Sequence, residues 1–248
     1  RIIMNKTAII IPSRLDAMRL PSKPLKLINN KEMILHVYEA ALKANAGEVY
    51  VATPDEVIVD LIKKFGGNSV LTSKNHATGT DRVFQVFKET LNNEPNIIVN
   101  LQGDMPNIDS KDITNLINYM QKEECSIGTL ASKLKSNYEL KDKNIVKVCV
   151  KEKMRPGEFV QAEDFVRTNP NKLYQVYHHI GIYAFTNKAL IRYVGLKRSK
   201  LELQRNLEQL RAMENNISIH VGFVESSPLS VDTEKDLIEV KKLMEKNG

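Results

Sequence analysis

The sequence predicts an α/β protein whose sheet is mostly parallel and covered by helices on both faces. Short apolar runs alternate with amphipathic segments of helical length from residue 7 to residue 101. The apolar runs suit strands buried on both faces, and the amphipathic segments suit the crossover helices that join parallel strands. The chain has 248 residues, of which 42% are hydrophobic, so it is long enough for one large domain with a substantial core.

The first half of the chain repeats this alternation in order. TAIIIP, EVYVAT, NSVLT and NIIVNLQ predict strands, and helices are predicted in EMILHVYEAALKANAG, in DEVIVDLIKKFGG and near residues 81–91. Because right-handed crossovers bring the loops after parallel strands to one edge of the sheet, we expect a ligand to bind at that edge.

The second half is less regular. CSIGTLASKL, NIVKVCVKE, HIGIYAF and ISIHVGF predict strands, LELQRNLEQLRAME predicts one helix with its leucines on one face, and DTEKDLIEVKKLMEKN predicts the closing helix. Residues 153–175 are rich in charge, proline and asparagine, and they predict a projecting arm instead of a second domain. We therefore expect a single domain over residues 1–248, with the arm inside about residues 130–185.

Composition and charge narrow the class of protein. Cys125 and Cys149 lack the spacing of a disulfide framework or a zinc site. No apolar run approaches the roughly 20 residues that cross a bilayer, and no signal-peptide pattern is visible, so we expect a soluble cytoplasmic chain without membrane insertion. The net charge of +6 permits an anionic partner, but the lysines are spread along helical polar faces and predict no nucleic-acid surface.

A cationic loop follows the first predicted strand. Arg14, Arg19 and Lys23 lie in a segment that Pro21 and Pro24 stiffen by fixing φ. Guanidinium and ammonium groups on a rigid loop suit a polyphosphate, whose charge must be held in one geometry. An ordinary solvated surface loop is the alternative that the spacing alone leaves open.

Two acidic residues are candidates for a metal site. Asp104 follows the predicted strand NIIVNLQ, and such a carboxylate suits Mg²⁺ held against phosphate oxygens, although an ordinary Gly-Asp turn explains it equally well. Asp232 precedes the final predicted helix, where Asp232 or Thr233 could simply cap that helix.

Other polar residues have ordinary structural explanations when taken singly. Arg82 begins a predicted helix, where backbone N–H groups could meet an anion. His179 lies on an apolar strand, as structural histidines often do, and Glu208 and Gln209 lie on the polar side of a leucine-lined helix.

The order of these segments, however, resembles a known family. IPSRLDAMRLPSKPL is similar to the I-P-A-R-x-x-S-x-R-L-P-x-K-P-L opening of the 3-deoxy-manno-octulosonate (Kdo) cytidylyltransferases, also called CMP-Kdo synthetases. VATPDE, FGGNSVLTSKNHATGTDRV, IIVNLQGDMP, NIVKV, HHIGIYAF, LEQLR and VDTEKDL resemble later blocks of the family in the same order, over residues 7–240.

The resemblance implies a fold, a reaction and a set of partners. The fold is the three-layer nucleotide-diphospho-sugar transferase-like α/β fold, with a mostly parallel mixed sheet and a small projecting arm on the sugar and dimerisation side. The reaction transfers CMP from CTP to Kdo with Mg²⁺, and releases pyrophosphate in the cytoplasm for lipopolysaccharide synthesis. Family members are usually homodimers.

The resemblance also implies site residues. Nucleotide-binding residues are Arg14, Arg19, Lys23, Thr80, Arg82 and Gln102; sugar-binding residues are Gln102, His179, Tyr183, Glu208 and Gln209; metal ligands are Asp104 and Asp232. Arg14, Lys23 and Asp104 are the catalytic residues among these, and they act by positioning and charge neutralisation without a protein nucleophile.

Two departures from the family pattern concern the substrates. Met105 stands where the family's Q-G-D-E-P block has glutamate, so the charge beside Asp104 differs. The family's Y-F-S-R-x-x-I-P segment, whose arginine meets the sugar acid, has no clean equivalent in EKMRPGEFVQAEDFVR, where Arg155 and Arg167 are both candidates. A cytidylyltransferase for sialic acid or for an amino analogue of Kdo is therefore the alternative.

Overall fold

The computed structural model describes residues 6–246. The strands are β1 (Thr7–Pro12), β2 (Leu27–Ile28), β3 (Lys31–Glu32), β4 (Glu48–Thr53), β5 (Asn68–Leu71), β6 (Ile97–Leu101), β7 (Ile127–Ser132), β8 (Lys147–Val150), β9 (Phe159–Gln161), β10 (Asp164–Val166), β11 (Gln175–Thr186) and β12 (Ile219–Val224). The helices are α1 (Met33–Ala44), α2 (Glu56–Lys64), α3 (Gly79–Gln85), α4 (Ser110–Lys122), α5 (Asn137–Lys141), α6 (Asn187–Val194), α7 (Lys200–Arg205), α8 (Leu210–Glu214) and α9 (Glu234–Lys246).

The chain divides into two compact units, which are described separately. Unit 1 runs to Ile117 and resumes at Pro228, and unit 2 is Asn118–Ser227. The single domain expected from the sequence stays a prediction.

Unit 1 contains a parallel sheet with the strand order β5-β4-β1-β6. The central strand β1 pairs on both sides, with Ile10 opposite Tyr50 and Ile9 opposite Val99. Its isoleucines are fully buried, as the continuous apolar run predicts for a strand covered on both faces. The α/β class with a mixed, mostly parallel sheet is thus confirmed, and the four strands of this part of the sheet are all parallel.

A second apolar cluster in unit 1 joins the segment after β1 to the last helix. It contains Leu20, Ile28, Met33, Val231, Leu237 and Val240. Because Leu20 and Val231 are both buried in it, the loop that carries the predicted cations and the segment that carries Asp232 are anchored to the same core.

The helix predicted near residues 81–91 is divided in two. α3 ends at Gln85 and continues as a π-helical turn, Val86–Thr90. Its start is set by Thr78, whose hydroxyl accepts a hydrogen bond from the Asp81 N–H at 3.2 Å.

Unit 2 has a mixed sheet built around β7. Strand β11 runs antiparallel to β7, with a bulge between Ile180 and Tyr183, and β12 runs parallel to β7. The segment predicted as a projecting arm contributes two short strands to this sheet, because β9 pairs with β12 and β10 pairs with β8. Gly222 permits this pairing, since a Cβ there would lie only 2.4 Å from the ring of Phe159.

The single helix predicted over LELQRNLEQLRAME is wrong. The structure has two short helices, α7 and α8, separated at Asn206, which adopts a left-handed conformation with φ of 53°. Asparagine tolerates this conformation better than most residues, so it ends α7. Consequently Glu208 and Gln209 lie in the connection between two helices, and Gln209 is buried instead of lying on a solvated face.

Between residues 6 and 246, none of the helices combines the length and the apolar character needed to cross a bilayer.

Candidate functional site

The cationic loop of unit 1 has a defined shape. Ser22 adopts a left-handed conformation and precedes a 3-10 turn, Lys23–Leu25, in which Pro24 is buried. Arg14 and Arg19 are exposed, whereas Lys23 is half-buried. The loop therefore presents two exposed guanidinium groups and one half-buried ammonium group.

Lys23 brings the two predicted metal ligands together. Its Nζ lies 3.2 Å from Asp232 Oδ1 and 3.6 Å from Asp104 Oδ2. Arg19 approaches the other oxygen of Asp232 at 3.9 Å. We call Arg19, Lys23, Asp104 and Asp232 the acid–cation cluster. Residues from three distant parts of the sequence thus meet beyond the strand ends of unit 1.

Asp104 is held firmly, but its carboxylate is not satisfied. Its backbone carbonyl accepts the Val231 N–H at 2.8 Å, and its Oδ2 accepts the Ser230 hydroxyl at 3.3 Å. Its Oδ1 is buried without a hydrogen-bond partner. Burial raises the pKa of this carboxyl, the Lys23 ammonium opposes that rise, and the neighbouring Asp232 adds to it. A cation at Oδ1 would relieve the unfavourable state of the buried acid.

Asp232 does not cap the final helix. Thr233 performs that role, because its hydroxyl accepts the Asp236 N–H at 3.3 Å while the Asp236 carboxylate accepts the N–H groups of Asp232 and Thr233. This reciprocal arrangement is a capping box. The Asp232 carboxylate is consequently left to face Lys23 and Arg19.

The remaining predicted nucleotide residues have different surroundings. Arg82 is buried and donates to the Thr72 hydroxyl at 2.5 Å and to the Ser73 carbonyl at 2.8 Å. Burial lowers its pKa, and the nearby Arg14 lowers it further. Thr80 is buried and accepts from the Asn100 amide at 3.2 Å, whereas Gln102 is exposed just after β6.

Met105 has an apolar role. Its side chain is buried at the residue after Asp104, so it packs in the interior of unit 1 and contributes no charge to the acid–cation cluster. Gly103, on the other side of Asp104, allows a close approach, because a Cβ there would lie 3.2 Å from Ile34 Cδ1.

In unit 2, His179 is buried and neutral. The Thr129 hydroxyl donates to the Ile182 carbonyl at 2.6 Å, so it accepts at 2.9 Å from His179 Nε2. This network assigns the proton of the neutral ring to Nε2. Burial lowers the pKa of His179 to about 3, with a smaller contribution from the nearby His178.

Tyr183, Glu208 and Gln209 line a common cavity in unit 2. Its other lining residues are Ile127, Phe185, Tyr193, Ala212 and Ile219. The cavity measures about 10 Å³, which is room for about one water molecule and too small for a sugar acid. Burial raises the pKa of Tyr183, so its hydroxyl stays protonated. The three predicted residues are brought together, but by packing around a gap instead of around an open pocket.

A buried ion-pair network holds the helices beside this cavity. Glu202 is fully buried and accepts from Arg211 at 2.9 Å and 2.6 Å, from Arg198 at 3.0 Å and from the Ser199 N–H at 2.9 Å. The Arg211 guanidinium also lies 4.6 Å from the centre of the Tyr193 ring. We call these residues the Glu202 network. Sequence reasoning missed it, although Ser199 and Glu202 have the spacing of a capping box.

Comparison with known proteins identifies the family of the chain. Residues 8–219 match the family described as Cytidylyltransferase. The 3-deoxy-manno-octulosonate cytidylyltransferase of Rickettsia canadensis is 40% identical over 97% of this chain and 97% of its own length. That of Thermodesulfovibrio yellowstonii is 38% identical over 96% of this chain and 98% of its own length.

The chain belongs to the 3-deoxy-manno-octulosonate cytidylyltransferase family.

Solved structures support the same assignment. A CMP:2-keto-3-deoxy-manno-octonic acid synthetase complexed with CTP has a TM-score of 0.87 and 35% identity, and the match covers 98% of this chain and all of that one. A 4-diphosphocytidyl-2C-methyl-D-erythritol synthase from Anaerococcus prevotii has a TM-score of 0.63 at 15% identity, covering 97% of this chain and 99% of that one. The second likeness concerns the fold alone.

Segment 153–167 departs from the pattern of the 3-deoxy-manno-octulosonate cytidylyltransferases and contains two arginines. Arg167 directly follows β10, whereas Arg155 is exposed in the loop before β9. The Arg167 guanidinium donates to the carbonyls of Arg205, Lys143 and Asn206 at 3.0–3.1 Å. Arg167 is thus held by three backbone carbonyls at the end of a paired strand, and Arg155 and Arg167 both stay candidates for the equivalent of the family's arginine.

Proposed function

We propose that this chain transfers the CMP group of CTP to Kdo, giving CMP-Kdo and pyrophosphate. The anomeric hydroxyl oxygen of Kdo forms a bond to the α-phosphorus of CTP, and the bond from that phosphorus to the pyrophosphate oxygen breaks. The proton of that hydroxyl passes to solvent water. Because both substrates are anionic, the protein has to bring negative charges together and neutralise them.

The observation that carries this proposal is the acid–cation cluster. Lys23 is shared between two carboxylates that would repel each other without it. Arg14 and Arg19 lie exposed on the same loop and add positive charge, although Arg19 also lies 3.9 Å from Asp232. Such an arrangement suits a triphosphate that carries a bound cation. The cationic side chains can bind the phosphate oxygens, and the two acids can bind the cation.

Asp104 and Asp232 are the residues that would hold Mg²⁺. The buried, unpartnered Asp104 Oδ1 and the carboxylate chemistry of both residues fit this ion. Within residues 6–246 there is no group of three His, Cys, Asp or Glu side chains suited to a metal, so phosphate and water would supply the other ligands, as is usual for Mg²⁺. Bound there, the ion supplies charge neutralisation at the α-phosphate and a lower pKa for the attacking hydroxyl.

Lys23, Arg14 and Arg19 act on the triphosphate. The Lys23 ammonium, which lies 3.2 Å from Asp232 and 3.6 Å from Asp104, would bind phosphate oxygens. Arg14 and Arg19 bind the same group and stabilise the charge that develops on the leaving pyrophosphate. Thr80 and Arg82 support the nucleotide from the start of α3, and the internal hydrogen bonds of Arg82 indicate that it shapes the loop at Thr72 and Ser73.

Residues of unit 2 are assigned to the sugar acid, together with Gln102. Neutral His179 offers a ring nitrogen acceptor at Nδ1, because its Nε2 proton is used by Thr129. Tyr183, Glu208 and Gln209 would supply hydroxyl, carboxylate and amide groups for the sugar hydroxyls, which requires the cavity of about 10 Å³ that they line to open. Arg155 and Arg167 are the candidates for the substrate carboxylate. Arg167 would have to exchange at least one of its three carbonyl contacts for that ligand.

The cellular setting follows the family. We propose a cytoplasmic homodimer that supplies CMP-Kdo for lipopolysaccharide synthesis and binds neither nucleic acid nor membrane.

A pyrophosphate-release assay tests the reaction. Purified chain with Mg²⁺, CTP and Kdo is expected to release pyrophosphate, while ATP, GTP and UTP support much slower release. Sialic acid and an amino analogue of Kdo are assayed in parallel. Absence of release with CTP and Kdo would overturn the proposal, and release with another sugar acid alone would replace Kdo by that acid.

A further inference from the structure

Asp55 directs its carboxylate away from the helix it precedes. It stands at the N-cap position of α2, where an aspartate usually accepts a backbone N–H of its own helix. Here no such cap bond is made, and Asp55 Oδ2 accepts the N–H of Leu15 at 2.8 Å instead. A second hydrogen bond, from the Asp55 N–H to the Thr53 hydroxyl at 3.2 Å, fixes the orientation of Asp55. The Asp55 carboxylate thus binds a backbone N–H of the cationic loop.

Leu15 is the centre of the hydrogen bonds inside that loop. Its carbonyl accepts the N–H of Ala17 at 2.9 Å and that of Ser22 at 3.2 Å. Ser22 in turn accepts the Leu25 N–H at 2.9 Å and closes the turn that begins at Lys23. A continuous series of hydrogen bonds therefore runs from Asp55 through the Leu15 peptide to the residue before Lys23.

The same carboxylate lies among cations. Burial lowers the pKa of Arg82, the charge of Arg14 lowers it further, and the charge of Asp55 raises it. The three charged groups are therefore close enough to influence one another. Asp55 therefore offsets part of the repulsion between the two guanidinium groups when no phosphate is bound.

We infer that Asp55 is a positioning residue for the triphosphate: by holding the Leu15 N–H, it sets the part of the loop that presents Arg14 and Lys23. This inference rests on the proposed function for its ligand. The hydrogen bond itself does not depend on the reaction.

Two substitutions separate the hydrogen bond from the charge. Asp55→Asn keeps an oxygen that can accept the Leu15 N–H, whereas Asp55→Ala removes it. We expect Asp55→Ala to raise the KM for CTP about tenfold, which is the size of one lost hydrogen bond, and to leave the KM for Kdo within about twofold. Asp55→Asn is expected to recover most of that loss. Asp60→Ala, an exposed acid on the same helix, is the matched control.

A second measurement is independent of turnover. Amide hydrogen exchange at Leu15, measured on the full chain without substrate, is expected to be slow in the wild type and in Asp55→Asn, and fast in Asp55→Ala. If Asp55→Ala does not fold, Asp55→Glu takes its place, because the added methylene displaces the acceptor and is expected to raise the KM for CTP.

Several results would overturn the inference. They are an unchanged KM for CTP in Asp55→Ala or in its replacement, an equal rise in KM for both substrates, an Asp55→Asn variant as impaired as Asp55→Ala, or unprotected Leu15 exchange in the wild type. Failure of the wild type to release pyrophosphate from CTP and Kdo would instead contradict the proposed function. The exchange result would stand in that case.

Discussion

The chain contains two clusters of opposite charges, one in each unit, and they differ in how fully their carboxylates are hydrogen-bonded. In the Glu202 network of unit 2, both carboxylate oxygens accept hydrogen bonds from arginine side chains or backbone N–H. In the acid–cation cluster of unit 1, a single lysine serves two acids and one oxygen of Asp104 has no partner. The Glu202 carboxylate is therefore satisfied within the protein, whereas the unpartnered oxygen of Asp104 can accept a further ligand.

The pKa directions express the same difference. Burial alone would raise the pKa of Glu202, but hydrogen bonds from Arg211, Ser199 and Arg198 outweigh it and the pKa is lowered. For Asp104, burial dominates and the pKa is raised in spite of Lys23. Hydrogen bonds from the protein thus compensate the lost solvation of Glu202, but the protein does not fully compensate that of Asp104.

The largest expected effect is on catalysis by unit 1. Asp104→Ala should lower turnover with Mg²⁺, CTP and Kdo by about 10³-fold or more, because loss of this proposed metal ligand would remove several kcal/mol of transition-state stabilisation. The fold should survive, since the change removes an unsatisfied buried acid. Pyrophosphate release measures the turnover, and circular dichroism checks that the fold is retained. Asp60→Ala is the control. Near-normal turnover would remove Asp104 from the metal site.

The next effect is on the stability of unit 2. Arg211→Met leaves Glu202 buried with fewer partners, so it should reduce the free energy of unfolding by about 3–5 kcal/mol. The double variant Glu202→Gln with Arg211→Met should recover part of that loss. Denaturant titration measures both, and Arg155→Met provides an exposed arginine as control. If Arg211→Met and Arg155→Met were equally stable, the Glu202 network would not hold the helices.

The smallest effect is a pH dependence from His179. Its pKa is about 3 in the folded chain and about 6.5 in the unfolded one, so the unfolded state binds more protons between these values. Stability is therefore present above about pH 6.5 and lost as the pH falls, by about 2 kcal/mol between pH 7 and pH 5.

His179→Gln isolates this contribution. Relative to the wild type, the variant should gain about 2 kcal/mol of stability when the pH is lowered from 7 to 5. Denaturant titrations at the two pH values measure the difference. The same stability difference at both pH values would mean that the pKa of His179 is the same in the folded and the unfolded chain.

Features coded by local pattern could be predicted from the sequence. The buried strand β1 follows from an uninterrupted apolar run, and the cationic loop follows from its prolines and basic residues. The meeting of Asp104 with Asp232 could be expected only through family resemblance. The reason is physical: Lys23 and the shared apolar core join segments that are far apart in sequence.

Other features depend on tertiary contacts that no local pattern expresses. The leucine spacing over residues 201–214 favours one helix, yet Asn206 ends it, and the Glu202 network holds the two pieces. Asp55 has the sequence position of a helix cap, and only its contact with Leu15 reveals a different role. In the altered segment, strand pairing of β10 with β8 distinguishes Arg167 from Arg155.

The most direct test of the difference between the two units is calorimetric titration of CTP, with and without Mg²⁺, into the wild type and Asp104→Ala. Mg²⁺ should strengthen CTP binding to the wild type by about tenfold or more, which corresponds to about 1.4 kcal/mol. It should have little effect on Asp104→Ala. An equal effect of Mg²⁺ on both proteins would show that the unsatisfied acid of unit 1 is not where the cation binds.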